Sequence, residues 1–239
     1  MLKQIALKRE NITSFQQYPF DIPAIRSMDT LPIRKPITFF VGENGAGKST
    51  LLEAIADRCD FHTAGGGRNN TYDVHASESA LGNYIRLSWL PKVTRGFFLR
   101  AESFYQFASY IEGIGLEAYG GQSLHAQSHG ESFLSLFLNR FQGDGPAIYL
   151  LDEPEAALSP ARQLTFLRVL RDLAEFGNAQ FIIATHSPIL LGYPDADIWS
   201  FDGEEICNVH YEETEHYTIT NTFLQNRERV LKELFSDEG

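Results

Sequence analysis

The nine residues Gly42-Glu43-Asn44-Gly45-Ala46-Gly47-Lys48-Ser49-Thr50 constrain this chain more than any other part of it. They fit the pattern G-x-x-x-x-G-K-[ST] and follow an apolar run at 37–41 that reads as a strand. They also open a stretch in which Leu51, Leu52, Ile55 and Ala56 repeat at helical spacing. A strand that turns through glycines into a helix points successive backbone N–H groups inward, and the positive end of the helix adds to them. Such a loop cradles a polyphosphate. Gly42, Asn44, Gly45, Ala46 and Gly47 supply the turn and its amides, Lys48 reaches the β and γ phosphates, and Ser49, with Thr50 beside it, offers a hydroxyl to Mg²⁺. The expected fold is therefore an α/β sandwich with this loop at the C-terminal edge of parallel strands.

The remaining pattern agrees with that fold. Strand-like runs fall at 84–89, 96–99, 148–151 and 181–184, the last two almost wholly apolar, as strands buried on both faces are. Helical periods occupy 48–58, 133–141 and 164–176, with Ser159-Pro160 suited to open the last of these. Runs at 198–201 and 206–209 flank Asp202-Gly203-Glu204-Glu205 and predict a hairpin, and 218–235 predicts one or two closing helices. No linker divides the 239 residues, so residues 1–239 read as one folding unit, with its core motifs at 37–188 and a small inserted lobe at about 59–130. Within that lobe 63–73, containing Gly65-Gly66-Gly67-Arg68-Asn69-Asn70, has no apolar period and reads as a loop.

A second chemical element is the run Ala147-Ile148-Tyr149-Leu150-Leu151-Asp152-Glu153-Pro154, an apolar strand that ends in two adjacent carboxylates. Asp152 can orient the Mg²⁺ shell, and Glu153 can polarise a water for attack on a γ phosphate. A strand that ends in acids can also be an ordinary solvent-facing strand end; proximity to the phosphate loop gives this one its meaning.

With both elements present, the chain resembles the ATP-binding-cassette superfamily of ATPases, in the small bacterial predicted-ATPase group with an S-x-G-E signature of RecF-like and OLD-like type. The resemblance covers 37–188 and implies ATP and Mg²⁺ as ligands, with Lys48, Glu153 and a switch histidine serving hydrolysis. Gln127-Ser128-His129-Gly130-Glu131 looks like the signature loop, so Ser128, Gly130 and Glu131 would reach across a head-to-tail homodimer to the nucleotide held by the partner. Gly120-Gly121-Gln122-Ser123 is closer by letters to the transporter signature but lacks a following helix at the right offset. Thr185-His186-Ser187-Pro188 looks like the switch, making His186 the histidine in question. Ser159 stands where the family carries an aspartate, so communication between the two sites is not carried over. The family's Mg²⁺-contacting glutamine is replaced in the stretch Arg100-Ala101-Glu102; of its two charged residues, only Glu102 is a reasonable magnesium ligand. Phe15, Tyr18 and Phe20 compete for the aromatic that stacks on adenine.

Charge and composition narrow the partners. The net charge of −11 divides into +4 over residues 1–100 and −15 over the rest, which excludes a general nucleic-acid coat. Arg86, Lys92, Arg95 and Arg100 lie in an acid-free stretch from 79 to 101, which leaves a local nucleic-acid contact open beside the commoner reading of a solvated face. No apolar run approaches the ~18 residues of a membrane span, so membrane insertion is not expected. The charged N-terminus and two scattered cysteines point to the cytoplasm. The expected activity is an ATP-hydrolysing switch acting through ATP-driven dimerisation on an unidentified partner. The alternatives are the ATP-binding subunit of a membrane transporter and a nucleotide-gated module that does not hydrolyse. Glu153 argues against the last of these, and the short interval from Leu99 to Ser128 leaves little room for a transporter-docking lobe. Heptads that would build a coiled-coil arm are absent between Ser49 and Ser128, and no N-K-x-D motif for guanine occurs.

Overall fold

The computed structural model describes residues 1–61, 81–100, 145–176 and 178–236. A six-stranded sheet forms the centre, in the order β5 (Gly96–Arg100), β6 (Ala147–Asp152), β7 (Ala179–Ala184), β3 (Ile37–Val41), β8 (Asp197–Ser200) and β9 (Cys207–Asn208). Its first five strands run parallel and only β9 is antiparallel. The runs expected to be parallel core strands are so: β3 pairs with β7, and β7 with β6. The hairpin expected around 202–205 is β8 and β9.

Every residue of β3, β6 and β7 is buried, which requires cover on both faces of the sheet. Alternation sorts the side chains. Phe39, Tyr149, Leu151, Phe181 and Ile183 face one core with Phe166, Val169 and Leu170 of α4 (Pro160–Phe176). Phe40, Ile148, Leu150, Ile182 and Ala184 face the other, with Leu51, Leu52, Ile55 and Ala56 of α2 (Lys48–Arg58). The helical period read at 48–58 is thus the face that α2 lays on the sheet.

A second, antiparallel sheet covers α2 from outside, in the order β2 (Thr30–Pro32), β1 (Leu2–Leu7) and β4 (Ile85–Trp89). Short helices α1 (Pro23–Ser27) and α3 (Leu81–Tyr84) complete this layer. Gln180 of β7 joins the two sheets by accepting from the Leu2 N–H at 2.8 Å and donating to the Leu2 carbonyl at 2.9 Å. Both β4 and β5 fall within the range 59–130 and are built into these sheets; its remainder at 62–80 and 101–130 lies outside the described residues, and so do the loop at 63–73 and the helix expected at 133–141. The chain closes with the one-turn α5 (Pro188–Leu191), then α6 (Glu215–Gln225) and α7 (Arg227–Phe235); where the sequence predicts one or two closing helices over 218–235, there are two, the first starting at Glu215. Among the described residues no helix is long and apolar enough to cross a membrane.

Candidate functional site

Three strand ends deliver the site to one edge. β3 runs into the glycine-rich loop, β6 ends at Asp152, and β7 ends one residue before Thr185. Gly42 and Gly47 shape the loop at φ +141° and +101°. A Cβ on Gly47 would stand 3.0 Å from Ile22 Cγ2, so both its conformation and its packing require glycine. Asp202, two residues beyond the hairpin strand β8, pins the loop from the other side by accepting from the Glu43 N–H at 2.8 Å.

The lysine and serine of the loop each have a partner in the structure. Lys48 is buried and its Nζ donates to the carbonyls of Gly42 at 2.6 Å and Glu43 at 2.9 Å. Burial lowers the pKa of the ammonium, while the charges of Glu153, Asp202 and Asp152 pull it back up. The Ser49 hydroxyl donates to Asp152 Oδ1 at 2.9 Å, joining residues 103 positions apart. The first N–H groups of α2 have no acceptor within the helix, an arrangement that could cradle a polyphosphate.

Asp152 is buried, and burial pushes its carboxyl up to about 6, against the restraint of Arg100 and the Ser49 hydroxyl. Arg100 ends β5 directly opposite Asp152 in the sheet. Its guanidinium lies 3.4 Å from Asp152 Oδ2 and 2.7 Å from Glu53 Oε1, a carboxylate on the buried face of α2. Where the resemblance leads one to expect a glutamine there is therefore a cation holding two buried acids. Glu53 was not singled out from the sequence; the signal for it is a lone carboxylate inside the apolar run Leu51-Leu52-Glu53-Ala54-Ile55.

Glu153 adopts a left-handed backbone at φ +50°, just before Pro154 starts a single 3-10 turn. A left-handed backbone is uncommon for a residue with a side chain, so this position carries local strain. The Glu153 N–H donates to Ala184 O at 2.9 Å, which sets it level with the loop that carries His186. Glu155 fixes that loop through Oε1, which accepts the His186 N–H at 2.6 Å. His186 Nε2 is buried, without a hydrogen-bond partner, and 3.6 Å from Glu153 Oε1. Its Nδ1 lies 3.1 Å from Nε2 of His216, on α6. Nothing in the sequence marks His216, because the pairing exists only once α6 folds back over the strand ends. A cleft of about 810 Å³ opens here, lined by Glu43, Asn44, Glu153, His186, Glu215, His216 and Ile219.

Of the three aromatics considered for adenine, Phe20 is buried edge-on against Tyr84 and Phe15 lies under the Arg9 guanidinium. Tyr18 is 68% exposed with its hydroxyl 3.3 Å from Thr50 Oγ1, beside the loop. Glu102, Ser128, Gly130 and Glu131 lie outside the described residues, and so does the 120–123 stretch.

Comparison with known proteins agrees with this geometry. Residues 6–98 match a family model described as "AAA domain", and residues 115–192 match one described as "AAA domain, putative AbiEii toxin, Type IV TA system". The chain is 28% identical over 197 residues to the hemin import ATP-binding protein HmuV of Rhodococcus jostii, covering 72% of this chain and 64% of that one. It is 28% identical over 229 residues to the lipoprotein-releasing system ATP-binding protein LolD of a Ruegeria species, covering 84% of this chain and 98% of that one. Together the two domain matches and these ATP-binding relatives support an ATPase of the ATP-binding-cassette superfamily. The SMC head domain of Thermotoga maritima shares the superfamily fold, with a TM-score of 0.50 at 16% identity, covering 87% of this chain and 98% of that one.

Proposed function

We propose that this protein is a Mg²⁺-dependent ATPase that works as a switch: two copies close head to tail on ATP, hydrolyse it and separate, passing the motion to a protein partner. The observation that supports it most is the convergence of Ser49 and Asp152 at 2.9 Å with Lys48 and Glu153 on the same sheet edge. A hydroxyl and a carboxylate are hard oxygen donors, and a pair of them suits an ion that completes its shell with phosphate and water. When bound there, Mg²⁺ neutralises charge on the β and γ phosphates. Lys48 and the loop amides hold those phosphates, Glu153 accepts the proton of the attacking water, and His186 stands beside Glu153 with its Nε2 3.6 Å from the carboxylate. Tyr18 offers its exposed ring to the adenine. Release of phosphate from MgATP by the purified chain, and its loss in Lys48→Ala, tests this reading; no turnover by the native chain supports the non-hydrolysing module instead.

Two further outcomes are expected. Mg²⁺ has to displace the proton from Asp152, whose carboxyl titrates near 6. Mg²⁺-dependent nucleotide binding should therefore be full above about pH 7 and weaken by ~10-fold per unit below about pH 6; titrations between pH 5 and 8 check it. The dimer should appear in light scattering of Glu153→Gln only when MgATP is added. Mixing Lys48→Ala with Ser128→Arg should restore part of the activity, because each mixed dimer then holds one intact site.

A second reading, the ATP-binding subunit of a membrane transporter, is favoured by the hemin-import and lipoprotein-release relatives. Against it stands Arg100, whose cation occupies the Asp152 side of the site. Co-purification from native cells separates the two: an integral membrane partner supports the transporter reading, a non-membrane protein the switch.

A further inference from the structure

We propose that His216 is a positioning residue: it donates to His186 Nδ1 and so fixes the His186 tautomer whose Nε2–H points at Glu153. This rests on the ATPase reading above and adds to it a residue from the C-terminal helix.

The two ring nitrogens lie 3.1 Å apart, a hydrogen-bond length that requires one proton between them. Burial holds both imidazoles below their ordinary pKa, so at neutral pH each ring carries a single N–H. Two arrangements satisfy this. If His186 donated from Nδ1, its Nε2 would present a bare lone pair to the Glu153 carboxylate oxygen 3.6 Å away, and two electron-rich atoms would face each other in a partly buried cleft. If His216 donates from Nε2, His186 keeps its proton on Nε2, and the same approach becomes attractive. The second arrangement thus leaves the buried Nε2 of His186 facing a carboxylate as a proton-bearing atom, not as a lone pair.

The helix that brings His216 is anchored to the segment that carries His186. Thr214 caps α6 through its side chain and donates its hydroxyl proton to Tyr211 O at 2.7 Å. The Tyr211 hydroxyl donates to the carbonyl of Pro188, two residues past His186, at 2.9 Å. The distance between the rings is thereby set by a hydrogen-bonded corner, and a displacement of α6 would release His186.

The test uses the full chain in two measurements. Ring-¹⁵N NMR of the nucleotide-free protein, with His186→Gln to assign the signal, should show His186 protonated on Nε2 and accepting at Nδ1. A proton on Nδ1 overturns the proposal, whether or not the protein hydrolyses ATP. In steady-state turnover His216→Phe should lower kcat by ~10-fold with KM for ATP changed less than ~2-fold, since a partner that orients a catalytic ring acts in the transition state. His216→Gln, whose amide N–H can replace the donor, should recover kcat to within ~3-fold of native. Unchanged kcat in His216→Phe, or no recovery with glutamine in a variant that melts like the native chain, overturns the positioning role. Absence of turnover in the native chain overturns the ATPase reading instead, and the NMR result then decides the hydrogen bond alone.

Discussion

Glu153→Gln should hold ATP within ~3-fold of the native affinity and turn it over ~10²-fold or more slowly. Glutamine keeps the length of the side chain and leaves the backbone bond from residue 153 to Ala184 O intact. What it removes is the carboxylate that accepts the proton as water attacks, a contribution confined to the transition state. Lys48 acts differently. Its ammonium sits in the loop, bonded to the carbonyls of Gly42 and Glu43, and on the proposed reading would meet the phosphates in ground state and transition state alike, so Lys48→Ala should lose binding as well as turnover. Nucleotide titration and single-turnover hydrolysis on both variants separate the effects. Equal loss of binding in the two would contradict the division of roles, and native turnover in Glu153→Gln would remove this residue from the chemistry.

The core strands and the loop were legible because one-dimensional signals sufficed for them. β3, β6 and β7 are apolar on both faces, and each ends at a motif residue or immediately before one. The N-terminal sheet was not: β1 carries Lys3 and Gln4, β2 has three residues, and β4, which pairs with β1, lies some eighty residues further on. Its alternation marks β4 as a strand but names no partner. The same division holds in the site. Lys48, Ser49, Asp152 and Glu153 follow from motif and spacing and His186 from the family resemblance, whereas His216 and Glu53 become neighbours of the site only through packing. Arg100 lies between the two cases. Its position after an apolar run singled it out, yet its partnership with Asp152 and Glu53 depends on β5 lying next to β6 and beneath α2.

That partnership leads to a large expected effect on stability. Glu53 and Asp152 retain 8% and 6% side-chain exposure, and Arg100 27%, so both anions are shielded from water while a cation holds them. Replacing Arg100 by methionine keeps most of the volume and leaves two buried carboxylates facing a neutral side chain. Removing one partner of a buried ion pair costs ~3–5 kcal/mol, and the lower end applies here because Asp152 already titrates near 6 and can relieve the repulsion by taking up a proton. Its folded pKa lies above the unfolded value, so its contribution to stability is full below about pH 4 and is lost as pH rises through 6 and beyond. Arg100→Met, which raises that pKa further, should therefore lose about 3 kcal/mol in urea unfolding at pH 8 and roughly half of that at pH 5. A loss that is the same at both pH values would mean that packing, not charge, is what Arg100 supplies. Arg229→Met, on the exposed face of α7, should leave the midpoint unchanged. Arg100→Lys should recover only part of the loss, since one ammonium cannot address Oε1 of Glu53 and Oδ2 of Asp152 with the fork of a guanidinium. If Mg²⁺ and nucleotide bind beside Asp152, they supply the missing positive charge to the folded state alone, and should stabilise Arg100→Met more than they stabilise the native chain.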